Sequence, residues 1–113
     1  MPRPRIPRRI WFEPDVTYFK PAGIRMINLE ETVLTMDEFE AVRLKDYENL
    51  SQIQAAKKMN ISQPTFQRLY DSARKKIADA LVNGKALRIE GGGPYRIMSR
   101  GFGGRRRFRR GGT

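Results

Sequence analysis

Gln63, Pro64, Thr65, Gln67 and Arg68 occupy six consecutive positions' worth of chain, and four of them carry groups that hydrogen-bond the edges of nucleobases. A side-chain amide donates and accepts at once, a hydroxyl does the same, and a guanidinium donates through a planar fork. These groups match adenine and guanine in the major groove of DNA. Cations stand on both sides of the cluster, Lys57 and Lys58 before it and Arg74 and Lys75 after it, where they suit phosphate contacts. Arg3 and Arg5 add a further pair in MPRPRIPRR, a proline-rich stretch expected to be an extended arm able to track phosphates or enter a minor groove. Catalysis has fewer footholds. The chain contains no His and no Cys, which excludes disulfides, zinc-finger ligation and His- or Cys-based catalytic arrangements. Asp37, Glu38 and Glu40 read as first-turn anions that complement a helix dipole by about 0.3 to 1 kcal/mol each, not as an acid/base pair. The expectation is a binding protein without metal or cofactor, and not an enzyme.

Reading bases requires a helix that is presented rigidly. Ser51 with Gln54 forms a capping box, and Ser62 is a second N-cap eleven residues later. The spacing predicts a short helix over 52–59, with Ile53, Ala56 and Met59 inward, and a longer one over 63–82. Asn60 stands where the chain reverses and tolerates a left-handed backbone, and Ile61 plugs the turn into the core. Phe66, Leu69, Tyr70, Ala73, Ile77, Ala80 and Leu81 make one apolar stripe at helical spacing. Pro64 falls in the first turn, where its missing N–H is harmless, and Gly84 supplies the stop. Thr35 with Glu38 is a third capping box and opens a helix over about 35–48, buried through Met36, Phe39, Val42 and, after the turn, Leu50. The fold class expected is therefore mainly α, a three-helix helix-turn-helix domain. A short two-stranded sheet pairing about 9–13 with 86–90 is expected beside it. Residues 15 to 34 read as irregular structure that wraps the helices, with Tyr18 and Phe19 in the core.

At 113 residues the chain has room for one domain plus tails. Its net charge of +11 is unevenly placed, since residues 11 to 50 carry nine acids against four bases while both ends and the later helices are basic. Such polarity implies a side that faces a polyanion, with an acidic first helix turned away from phosphate. The organisation expected is a basic arm over 1–9, a DNA-binding domain over 10–92, and a disordered Gly/Arg tail over 93–113. In that tail Arg105, Arg106, Arg107, Arg109 and Arg110, interleaved with Phe102 and Phe108, suit nonspecific contact with nucleic acid. Gly91 to Gly93 is no phosphate loop, because no Gly-Lys-Ser/Thr follows. No apolar stretch approaches the ~18 residues that span a bilayer, and Pro2, Pro4 and Pro7 forbid the amphipathic helix of a transit peptide, so a cytoplasmic protein is expected.

The start PRPR followed by RRI, the segment YFKPAGI and the run from LTMDEFEAVRLKDYENL through SQIQAAKKMNISQPTFQRLYDSARKKIADALVNGKALRIEGG occur in one order. In this the chain resembles an uncharacterised family of small prokaryotic proteins with a sigma-factor-like DNA-binding domain. The likeness covers about residues 1 to 92. More distantly, the run from Leu34 to Leu81 is similar to region four of sigma factors, in which the helix equivalent to the one after Ser62 reads promoter DNA. The resemblance implies a cytoplasmic DNA-binding protein and transcriptional regulator whose recognition helix begins at Gln63. Two other readings stand beside it: an RNA-binding or ribosome-associated protein that uses the Gly/Arg tail, and a sigma-like adaptor that touches RNA polymerase. A homodimer would demand paired half-sites about one helical turn apart, and a monomer would not.

Overall fold

Three hydroxyl caps open three helices, and the computed structural model describes residues 7–98 of the chain around them. The Thr35 hydroxyl accepts from the Glu38 N–H while the Glu38 carboxylate accepts from the Thr35 N–H, which starts helix α1, Met36–Val42. The same reciprocal box between Ser51 and Gln54 starts α2, Gln52–Met59. Ser62 caps the N–H of Thr65 and starts α3, Gln63–Asn83, with Pro64 in its first turn. Asn60 ends α2 in the left-handed region (φ 61°, ψ 44°), donating to the carbonyls of Ala56 and Lys57, and Gly84 ends α3 likewise (φ 65°). The first helix does not run evenly to residue 48. Beyond Val42 it widens into a π-helical turn over Arg43–Tyr47, and the left-handed Asn49 (φ 63°) releases the chain toward α2.

Among the described residues five strands frame the helices: β1 Arg8–Ile10, β2 Tyr18–Phe19, β3 Glu31–Leu34, β4 Ala86–Ile89 and β5 Tyr95–Ile97. β4 is central in a three-stranded sheet, antiparallel to β2 and parallel to β3, with Leu34 opposite Ile89. The three helices form the crossover that the parallel β3/β4 pair requires. β1 and β5 make a separate parallel pair with Ile10 opposite Ile97. One core cluster joins Ala41, Leu44, Ala55, Ala56, Met59, Phe66 and Tyr70 between the helices. A second joins Ile10, Leu34, Met36, Ala73 and Ile89 between helices and strands. Because α3 supplies residues to both, it is the spine that fixes the helical unit to the sheet. Among the described residues no helix is long and apolar enough to cross a membrane.

Several expectations need correction. The segment 9–13 does not pair with 86–90. Both edges of β4 are taken by β2 and β3, and β1 finds its partner in β5 instead. Residues 15 to 34 are not wholly irregular, since they supply two strands and a 3-10 turn at Met26–Asn28. Tyr95–Ile97 is a strand, so ordered structure continues past residue 93, where a disordered tail was expected to begin. Residues 1–6 and 99–113, with Arg3, Arg5 and the arginines of 105–110, lie outside the described residues. Tyr18 is half-buried and Phe19 exposed, because a strand of two residues reaches only the rim of the sheet. Ile53 and Leu81 are also exposed, at 56% and 78%. The short α2 meets its neighbours through Ala55, Ala56 and Met59, a face turned away from Ile53. Leu81, next to the buried Ala80, borders an open groove with Phe19, Ile77 and Leu87.

Candidate nucleic-acid interface

The N-terminal half of α3 is held from behind and open in front. Phe66 and Tyr70 are buried and stacked with ring centroids 5.9 Å apart, which fixes the rotation of the helix. That rotation leaves Gln63, Pro64, Arg68, Asp71, Arg74 and Lys75 exposed and Gln67 half-buried at the seam with α2. Thr65 belongs to the cap more than to the face, since its hydroxyl accepts from Ser62 Oγ at 2.9 Å and from Arg68 at 3.4 Å. Gln63 and Gln67 meet through a residue the sequence reading passed over. Gln63 donates to Gln52, Gln52 donates to Gln67, and Gln67 donates to Asp71 at 2.8 Å. Asp71 was legible as an i, i+4 neighbour of Gln67. Gln52 was not, because only the crossing of α2 over α3 brings position 52 beside 63 and 67.

The flanking cations divide. Lys57, Arg68 and Lys75 are exposed and have no carboxylate partner among the described residues. Arg74 lies 5.4 Å over the Tyr70 ring and 3.8 Å from Asp46, whose carboxylate also accepts from the Tyr70 hydroxyl at 2.7 Å. That hydrogen bond raises the Tyr70 phenol above its ordinary range. Lys58 turns the other way: its ammonium sits 4.6 Å over the Trp11 ring and its carbonyl accepts from Trp11 Nε1 at 2.7 Å. It ties β1 to the end of α2 and faces away from the glutamines.

The acidic first helix was expected to be turned away from phosphate, and the structure places its carboxylates inside, against cations. Glu40 is fully buried and accepts from Arg43 at 2.8 and 3.0 Å and from the Trp11 N–H at 2.8 Å. Glu38 accepts from Lys76 at 2.8 Å and from Ser72, and Asp37 lies 3.5 Å from Arg8. Burial pushes the Glu38 carboxyl up, but the hydrogen bonds from Lys76, Ser72 and the Thr35 N–H outweigh it and hold it below the usual glutamate range. The α1 carboxylates are thus each matched by a cation, whereas Lys57 on α2 and Arg68 and Lys75 on the outer face of α3, like Arg9, Lys20, Arg25, Lys45 and Arg96 elsewhere, have no carboxylate partner among the described residues.

Residues 1–98 match the family described as "Protein of unknown function DUF134". A UPF0251 protein of Moorella thermoacetica is 60% identical over 92 residues, covering 81% of this chain and 62% of that protein. Another, from Caldanaerobacter subterraneus subsp. tengcongensis, is 56% identical over 109 residues, covering 94% of this chain and 92% of its own. A third, from Dehalococcoides mccartyi, is 63% identical over 92 residues, covering 81% and 79%. The chain thus spans less than two thirds of the Moorella relative and nearly all of the Caldanaerobacter one. No solved structure matches it. The matched region takes in every helix and strand described above, and the chain belongs to the DUF134/UPF0251 family.

Proposed function

We propose that the protein binds double-stranded DNA in a sequence-specific manner and regulates transcription. In this reading α2, the turn at Asn60 and α3 act as a helix-turn-helix that lays the start of α3 in the major groove. The observation that carries the reading is the division of charge. On the α1 side carboxylates neutralise Arg8, Arg43 and Lys76, whereas Lys57, Arg68 and Lys75 stand unneutralised beside a row of amides, Gln63 exposed and Gln52 and Gln67 half-buried. An uncancelled cationic face with bifunctional hydrogen-bonding groups at its centre suits a polyanion whose bases are read between two phosphate rows. A groove about 12 Å wide admits one helix, and α3 is long enough to enter by its first turns while its later turns stay packed on the sheet. Lys57, Lys75 and Arg74 then meet phosphates, and Arg68 faces base edges, where its fork suits guanine O6 and N7.

Selection from a random duplex pool at a stated salt concentration tests this. Full-length protein should enrich a defined motif. Arg68→Ala should relax one base position by about 1 to 3 kcal/mol, while Lys75→Ala should weaken all sequences alike and lower the salt slope by about one. Failure to enrich any motif, or displacement of duplex by a structured RNA, would overturn the reading. The RNA outcome would favour an RNA-binding protein.

A further inference from the structure

Three glutamines and one aspartate form a directed chain across the seam between α2 and α3. Gln63 Nε2 donates to Gln52 Oε1 at 3.3 Å, Gln52 Nε2 donates to Gln67 Oε1, and Gln67 Nε2 donates to Asp71 Oδ1 at 2.8 Å. A glutamine amide is nearly symmetric in shape, so a row of them could run in either direction with donors and acceptors exchanged. An ionised carboxylate has no such freedom because it only accepts. Asp71 therefore obliges Gln67 to donate toward it and to leave its oxygen for Gln52. Gln52 must then donate to Gln67 and accept from Gln63. The direction of the whole row follows from its last member.

Asp71 is otherwise hard to place. It is exposed, lies on the same face as Arg68 and Lys75, and has no cation within ion-pair distance among the described residues. A lone negative charge amid that face opposes a polyanion. What it supplies in return is orientation. With the row directed, the Gln63 carbonyl oxygen has no donor among the described residues and is left to accept from a base amino group, while each amide keeps one N–H to give.

We propose that Asp71 is a positioning residue for base reading: its carboxylate sets the donor and acceptor polarity of Gln67, Gln52 and Gln63, and so which base edges they match. The inference rests on the DNA-binding reading above, and two measurements separate the failure of one from the failure of the other. Asp71→Asn keeps the shape, removes the charge and lets the row reverse. In the free protein, NMR of the side-chain amides should show Gln52 and Gln63 shifting together with Gln67 in Asp71→Asn, with backbone resonances of the core unmoved. In duplex selection at matched salt, Asp71→Asn should bind more tightly overall yet lose about fivefold or more of base discrimination at two or more positions. An affinity gain with an unchanged motif would overturn the proposal, leaving Asp71 a simple charge. So would side-chain shifts confined to Gln67. If wild-type protein selects no motif while the amides still respond together, the row exists but the DNA reading has failed, and the positioning role falls with it.

Discussion

Glu40 has no exposed surface, and its two oxygens are consumed by Arg43 and the Trp11 backbone. Removing it strands the Arg43 guanidinium, half shielded under the Phe12 ring at 5.4 Å, with only the more exposed Glu48 for a partner. Glu40→Ala is expected to destabilise the fold by about 3 to 5 kcal/mol in urea unfolding, as the breaking of a buried pair does. Glu38 makes a different prediction, through pH. Its pKa is lowered in the folded state, so its contribution is present above the ordinary glutamate value of about 4.3 and is lost as pH falls through the lower folded value. Lys76→Met removes a hydrogen bond that opposes burial, so the Glu38 pKa rises and the acid limb of the stability curve should move toward neutral pH. Unfolding midpoints measured at a series of pH values check this, and an unmoved limb would contradict it. The capping role of Glu38 was legible in the sequence. Its pairing with Lys76 was not, because 38 residues of chain separate them.

Helix α2 is only eight residues long and is bracketed by two left-handed asparagines, Asn49 and Asn60. So short a helix has little stability of its own, and its caps and turns decide where it points. Asn60→Ala should cost about 1 to 2 kcal/mol because a Cβ is disfavoured in that conformation, whereas Asn60→Gly should be tolerated. Equilibrium unfolding of the two variants distinguishes them, and equal stability would place the strain elsewhere. Ser62→Ala should cost about 1 kcal/mol by freeing the Thr65 N–H, and would loosen the turn on which the exposed glutamines depend. All three caps were readable from the sequence because capping is local: the donor and acceptor lie three residues apart. The π-helical turn at Arg43–Tyr47 and the phase of α2, with Ala55 rather than Ile53 inward, are set by neighbours distant in sequence and carry no local signal.

Across the whole molecule, β5 matters more than its three residues suggest. It covers the strand that carries the fully buried Ile10, and the Met98 N–H donates to the Ile10 carbonyl at 2.7 Å. A chain ending at Met98 keeps this cover. One ending at Glu90 loses the cover of Ile10 and should be less stable by about 1.5 to 3 kcal/mol. Thermal unfolding of the two truncations checks this, and equal melting would show β5 to be dispensable. The same pairing brings the two ends of the described chain onto one ribbon, with Arg8 opposite Tyr95.

By itself the sequence determined where the helices start, where α2 and α3 stop, and that α3 would keep Phe66, Tyr70, Ala73 and Ala80 inward. Those features follow from caps, left-handed turns and periodicity, which act within a few residues. It also identified Gln63, Arg68 and Lys75 as an outward set, since the complement of an apolar stripe is exposed. Only the tertiary structure decided that β4 would be central with β3 parallel to it, that the acids of α1 would be buried against Arg8, Arg43 and Lys76, and that Gln52 and Asp71 would join Gln63 and Gln67. Strand pairing, ion pairing and the seam between two helices are contacts between distant positions. Which partners meet is settled by how the helices cross and which edges remain free, and no local run of residues records that.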